Sequence, residues 1–312
     1  MDTVSRLLRA ARPNARLDKR CLLGGATQMD VAGSPELEAP FHALLEGECR
    51  LQVGATVLHL RTGDVVLIPG GAAHHVTTSG AGRLRGTSET VGEAFTTTRS
   101  AGGGAAVIDL FCGSYVFDRG AGAVLLRSLP DPVHVSFGSS PESAEMLRSV
   151  SALMRAEGRQ EGAGSAAILS ALSTVLLAMV LRSSRGATTT TALWTAAADS
   201  RIAEAVDSVL ADPGAEWTIE RLSGAAAMSR ATFLRHFGRE TGTTVGAFLA
   251  RARVMAAAEL LDSSDATVAN IAGSVGYRSE SAFSRAFRGE VGTTPARYRI
   301  DQRRRRQPHD VG

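Results

Sequence analysis

Three cysteines in 312 residues are too few for a disulfide framework, so each thiol is either a small core residue or a reactive group. No secretory signal opens the chain: Leu7 and Leu8 sit between Arg6 and Arg9 with no apolar stretch behind them, and the expected location is cytoplasmic. No apolar run reaches the roughly 20 residues that cross a bilayer. The longest, 166–181, is interrupted by Ser170, Ser173 and Thr174 and is expected to form a buried or interfacial helix, with no membrane partner.

The chain does have enough apolar residues for packed cores. At 44% hydrophobic content, and with roughly 150 residues per domain as a prior, it should hold about two domains. The net charge of +3 is unevenly spread. Arginines crowd the C-terminal region (Arg230, Arg235, Arg239, Arg251, Arg253, Arg278, Arg285, Arg288, Arg297, Arg299), which points to an anionic partner or to a solvated basic face.

From Cys21 to about Val135, short apolar runs alternate with glycine and proline, as at 41–45, 51–53, 56–60, 64–69, 107–111 and 115–117. Such spacing predicts an all-β sandwich or barrel. After Pro141 the period becomes helical, with Met146, Val150, Leu153 and Met154 on one stripe and Ile168, Leu172, Val175, Leu176 and Met179 on another. Residues 183–199 lack periodicity and read as a linker. The expected fold is α+β in two domains: a sensor barrel over 1–140 with trailing helices over 141–182 for coupling or dimerisation, then an all-α unit over 200–300 and a basic tail over 301–312.

Within the helical unit one pattern occurs twice: a short helix, a turn with a small residue, then a helix opened by serine. Thr218 and Thr267 are placed to cap the first helix of each copy, and Ser229 and Ser279 the second. Phe233 with Phe237, and Phe283 with Phe287, lie four apart and must face inward together. Left outside are Arg230, Ala231, Thr232, Arg235 and His236 in one copy, and Glu280, Ser281, Ser284, Arg285 and Arg288 in the other. Outward arginines among small residues suit a helix that enters a major groove about 12 Å wide.

The stretch from Ile271 to Arg299, with its Ser279-Glu-Ser-Ala-Phe-Ser-Arg-Ala-Phe core, resembles the AraC/XylS family of transcription regulators. The likeness implies a double helix-turn-helix unit binding double-stranded promoter DNA in successive major grooves, with RNA polymerase as a further partner. By that likeness Ala231, Arg235, Ser281 and Arg285 face bases. Ser229, Ser279 and Arg288 are expected at phosphates, with Arg230 and Thr232 completing the DNA-contacting set.

In the first half, Gly63 to His74 is spaced like the second cupin motif, and Phe41-His-Ala-Leu-Leu-Glu-Gly-Glu resembles the strand-and-turn part of the first, implying a cupin-like β-barrel. The metal-binding part is missing, since Gly33, Ser34, Pro35 and Pro40 stand where paired histidines and a glutamate would. With only His74, His42 and His75 at hand, neither a metal nor another cofactor is expected, and an enzyme is not. His42 and His74 are instead expected to be structural or to line a ligand pocket. A methyl-accepting DNA-repair protein is set aside too, because no cysteine has an adjacent histidine.

Segments at 1–8, 17–24, 41–44 and 111–113 are similar to the cupin-type AraC activators that respond to reactive chlorine species. That likeness implies a redox pair at Cys21 and Cys112, with Cys49 outside it. Lys19 and Arg20 are expected to favour the thiolate of Cys21, and a bond between the two sulfurs to lock an N-terminal arm against a strand. The rival expectation is a small organic inducer in the barrel. In either case the signal is expected to travel through the helices after Pro141, which also have apolar surface for a homodimer.

Overall fold

The computed structural model describes residues 2–139, 141–160, 162–183, 197 and 199–306. The expected linker at 183–199 lies mostly outside these, as do residues 307–312 of the basic tail. Two compact units emerge, and neither is one continuous stretch of chain. One comprises residues 13–116 and 129–191, the other 1–12, 117–128 and 192–312.

The first unit is a two-sheet β-fold. Its strands are β1 (Asn14–Leu23), β2 (Thr27–Val31), β3 (Glu38–Glu46), β4 (Glu48–Val53), β5 (Thr56–Arg61), β6 (Asp64–Leu67), β7 (His74–Thr78), β8 (Thr87–Val91), β9 (Thr96–Ser100), β10 (Ile108–Val116) and β11 (Val133–Ser136). The larger sheet runs β11-β6-β3-β10-β1-β9-β8, and the smaller β2-β7-β4-β5. Side chains from both sheets meet in one core, among them Leu23, Met29, Leu44, Leu51, Val66, Val76 and Leu110. All three cysteines belong to that core.

Alternation explains the placement. Along β1, Ala15, Leu17, Cys21 and Leu23 point inward, with a register irregularity between Leu17 and Lys19. The central strand β10 is buried almost throughout, as expected where both faces of a sheet are covered. Its outer face carries Tyr115, stacked on Phe41 at 4.8 Å. The Tyr115 hydroxyl donates to the carbonyl of Ser173 at 2.8 Å on α4 (Ser165–Arg182), which packs with α3 (Pro141–Gln160). Gly113 is required here, because a Cβ would run into the Arg16 carbonyl and the Phe41 ring. α4 is apolar and long enough to cross a membrane by composition, yet Leu169, Leu176, Leu177, Met179 and Val180 are buried within the unit. The expected stripes are only partly buried: Val150 and Met154 point in, whereas Met146, Leu153, Ile168 and Val175 are exposed.

The second unit is all-α. It contains α1 (Thr3–Ala11), α2 (Ala121–Ser128), α5 (Ser200–Ala211), α6 (Ile219–Ala225), α7 (Arg230–Thr241), α8 (Val245–Ser263), α9 (Val268–Ser274), α10 (Glu280–Val291) and α11 (Pro295–Arg306). The start of the expected basic tail is therefore the end of α11. Both α1 and α2 lie in sequence where a barrel was expected, and both pack on α8, α2 also meeting α10. Arg127 of α2 donates to the carbonyl of Glu290 at 2.8 Å, Arg12 pairs with Asp262 at 3.2 Å, and Thr3 bonds Asp207.

Candidate nucleic-acid interface and sensor site

The two helix-turn-helix copies are α6–α7 and α9–α10. Each short helix opens on a threonine whose side chain accepts a backbone N–H, Thr218 from Arg221 and Thr267 from Asn270. Each second helix opens on a serine, Ser229 accepting from Thr232 and Ser279 from Ala282. A cap of this kind is worth about 1 kcal/mol. Phe233, Phe237, Phe283 and Phe287 are all buried, and this fixes the opposite face of α7 and α10 toward solvent. There Ser229, Arg230, Ala231, Arg235, Ser279, Ser281, Arg285 and Arg288 are exposed, and Thr232 is half-buried.

The C-terminal arginines divide sharply. Arg230 pairs with Glu220, Arg239 with Glu240, Arg251 with Glu290 and Arg297 with Asp301. Arg253 donates to Pro213 and Ala215 carbonyls beneath the Tyr277 ring, and Arg299 to Ala266. Among the described residues Arg235, Arg278, Arg285 and Arg288 have no ion pair, which leaves their charge for an external anion.

In the β-unit the structure brings Cys21, Cys112, His42 and His74 into one contact chain. His42 on β3 is the direct register partner of Cys112 on β10, and its Nδ1 lies 3.1 Å from Cys112 Sγ. Its Nε2 lies 2.7 Å from Nε2 of His74, on β7 in the other sheet. His74 Nδ1 is 2.8 Å from the Ala72 carbonyl. Cys112 Sγ is 3.5 Å from Cys21 Sγ, and Cys21 Sγ is 3.4 Å from the Met29 thioether.

The ends of this chain fix its proton order. Burial, reinforced by His74, lowers the His42 pKa to about 3, and burial lowers that of His74, so both rings are neutral near pH 7. A carbonyl only accepts, so His74 carries its proton on Nδ1 and presents a lone pair at Nε2. His42 must then donate from Nε2, which leaves its Nδ1 as an acceptor for the Cys112 thiol. The bond with Cys21, and then burial, push the Cys112 thiol well above its ordinary value.

A cavity of about 330 Å³ opens on this chain from one side. Lys19, Met29, Asp30, Glu38, His42 and Cys112 are part of its lining, whereas Cys21 and His74 are not. His74 thus holds His42 rather than facing a ligand. Two further expectations need correction. Arg20 is bound to Asp109 and is not reserved for Cys21, whereas Lys19 pairs with Glu89 while its charge still acts on Cys21 and Cys112. Cys21 is also not on a loose arm: β1 pairs with β10 from Asn14 to Leu23. Cys49 lies on β4 in the opposite sheet, and burial raises its pKa to about 12. Among the described residues no group of three or more His, Cys, Asp or Glu is arranged to hold a metal ion.

Among solved structures, the DNA-binding domain of the global transcriptional factor AdpA in complex with a target DNA is 39% identical, covering 33% of this chain and 94% of that one at a TM-score of 0.33. A family model described as a helix-turn-helix domain matches residues 222–300, and one described as cupin matches residues 2–184. An uncharacterized HTH-type transcriptional regulator of Haemophilus influenzae is 29% identical over 96% of this chain and 98% of its own. The RCS-specific HTH-type transcriptional activator RclR of Escherichia coli is 30% identical over 96% of this chain and 97% of its own. With a cupin match over more than half its length and a 30% identical regulator matching almost end to end, the chain belongs to the AraC family of DNA-binding transcriptional regulators with a cupin N-terminal half, and is a regulator rather than an enzyme.

Proposed function

We propose that this regulator responds to an oxidant of the hypochlorous acid class through a reversible bond between Cys21 and Cys112, and activates a promoter when oxidised. The observation that carries the reading is the 3.5 Å approach of the two sulfurs inside the barrel core. A relative named for reactive-chlorine specificity supports the choice of oxidant.

The register suggests how such a bond acts. Lys19 is the partner of Cys112, and Cys21 that of Leu110, so the cysteines are diagonal neighbours. Diagonal pairs typically stand about 7–8 Å apart, beyond the usual Cα separation of about 4.4–6.8 Å in a disulfide. Bonding therefore draws β1 and β10 along each other. The chain runs from α1 directly into β1 and from β10 directly toward α2, and these two helices pack on α8 and α10. This route is shorter in sequence than the expected one through α3 and α4.

On the DNA side, Ala231, Arg235, Ser281 and Arg285 read bases while Ser229, Arg230, Thr232, Ser279 and Arg288 serve phosphates or the first-turn geometry. RNA polymerase is the partner at the promoter, and the exposed Met146, Leu153, Ile168 and Val175 offer a face for a homodimer, which light scattering checks.

The test pairs mass spectrometry of oxidised protein with a promoter reporter. Cys21→Ser and Cys112→Ser should abolish induction, and Cys49→Ser should leave it intact. Full induction in the first two variants sinks the redox reading. The second reading, a small organic inducer, is favoured by the 330 Å³ cavity, which falls in the size range of small-molecule sites; it would then stand alone.

A further inference from the structure

We infer that Cys112 is the thiol that meets the oxidant, entering through the cavity beside Met29, Asp30 and Glu38, that His42 takes its proton, and that Cys21 is the thiol that resolves the product. The inference rests on the redox reading and adds to it the order of attack and the residue that moves the proton.

Three observations converge. Cys112 and His42 both line the cavity while Cys21 does not, and Cys21 has no exposed surface at all. An incoming molecule therefore reaches the sulfur of Cys112 first. Second, His42 Nδ1 is in contact with that sulfur and carries a lone pair, as the bonds through His74 to the Ala72 carbonyl require. A buried thiol reacts slowly unless a base in contact removes its proton as the sulfur attacks. Third, Cys21 lies on the far side of Cys112 from His42, within reach of its sulfur and backed by Met29.

The steps balance as follows. Cys112 sulfur attacks the chlorine of hypochlorous acid; an S–Cl bond forms, the Cl–O bond breaks, and sulfur gives up two electrons. The thiol proton passes to His42 Nδ1 while the His42 Nε2 proton moves toward His74, and one proton returns to the departing hydroxide as water. Cys21 sulfur then attacks Cys112 sulfur. The S–S bond forms, the S–Cl bond breaks, and chloride leaves into the cavity, accompanied by the Cys21 proton. Two thiols and one hypochlorous acid give one disulfide, water, chloride and a proton. His74 acts through His42 and is a positioning residue.

Full-length reduced protein treated with less than one equivalent of hypochlorous acid, then trapped with dimedone and an alkylating agent, tests this by mass spectrometry. Hydrolysis of the S–Cl bond gives a sulfenic acid, which dimedone captures. Cys21→Ser should yield the adduct on Cys112. In Cys112→Ser, Cys21 should stay reduced over the time in which the unaltered protein is fully oxidised. His42→Gln keeps a polar side chain that accepts no proton, and should slow disulfide formation roughly 100-fold. Nitrogen-15 spectra of the reduced protein should show His42 protonated on Nε2 alone, a preference lost in His74→Phe. Oxidation of Cys21 in Cys112→Ser at the rate of the unaltered protein, or unslowed oxidation of a folded His42→Gln, overturns the inference; should His42→Gln fail to fold, the two trapping results decide alone. Retention of the Nε2 tautomer in His74→Phe removes His74 from its role. If the reporter needs both cysteines yet Cys21 is trapped first, only this order of events falls and the redox reading survives.

Discussion

The two helix-turn-helix copies begin from nearly the same sequence logic and end in different surroundings. In both, threonine and serine caps and a buried phenylalanine pair set the helices. In the first copy, Phe237 packs on Phe248 at a centroid distance of 5.7 Å. In the second, an aromatic series runs from Tyr277 through Phe283 and Phe287 to Tyr298, and α2 lies against α10. The turns differ too. Gly276 holds φ at +87 with the Arg253 guanidinium close beneath it, whereas the first copy uses Ala227 at φ +51. Left-handed backbone costs a residue with a Cβ about 1–2 kcal/mol. The same motif is therefore strained and lightly braced in one copy, relaxed and doubly braced in the other, which makes the second the better placed to register a change in α2.

The largest test of this contrast is in the cores. Phe283→Ala and Phe233→Ala should each lower stability by about 3–5 kcal/mol in denaturant melts, and a far larger loss in one copy would show that the units fold on unequal terms. Next comes DNA. Arg285→Ala should weaken specific binding by roughly 1–3 kcal/mol if it reads a guanine edge; mobility shifts on a cognate promoter without loss would remove Arg285 from the readers, and Arg235→Ala gives the matched measurement for the first copy. The turns should respond with opposite sign: Gly276→Ala costs about 1–2 kcal/mol, while Ala227→Gly relieves strain and raises the melting midpoint. Least costly is Arg127→Ala, which removes an exposed bond worth about 1 kcal/mol or less. Amide exchange should quicken at the end of α10 and stay unchanged in α7; equal quickening in both would end the idea that α2 braces one copy.

What the sequence disclosed was local. Capping residues lie three positions from the amides they bond, and Phe233 and Phe237 are one helical turn apart, so α6, α7, α9 and α10 follow from short-range spacing. The strand runs at 41–45 and 64–69 announced β3 and β6 for the same reason. Long-range pairing was hidden. Nothing in spacing says that His42 stands opposite Cys112, or that His74 reaches across from the other sheet, because sheet register is decided by the whole core. Arg20 misled, since sequence adjacency to Cys21 says nothing about Asp109, its partner in space. α1 was visible only as a failed signal peptide. α2 was masked by the glycine-rich texture around it, although Val124 and Leu125 have no exposed surface.

Because the helical unit gathers residues 1–12, 117–128 and 192–312, the ribosome makes its parts in an awkward order. α1 packs on α2 and on α8, yet α8 starts only at Val245. At about 5–20 residues per second, α8 follows α1 by some tens of seconds. The β-unit, whose strands end by Ser136, has time to close in between. A nascent chain thus holds a formed β-unit and the α1–α2 pair before any DNA-binding surface exists, and a fragment begun at residue 200 to isolate that surface would leave the α1 and α2 side of α8 and α10 bare.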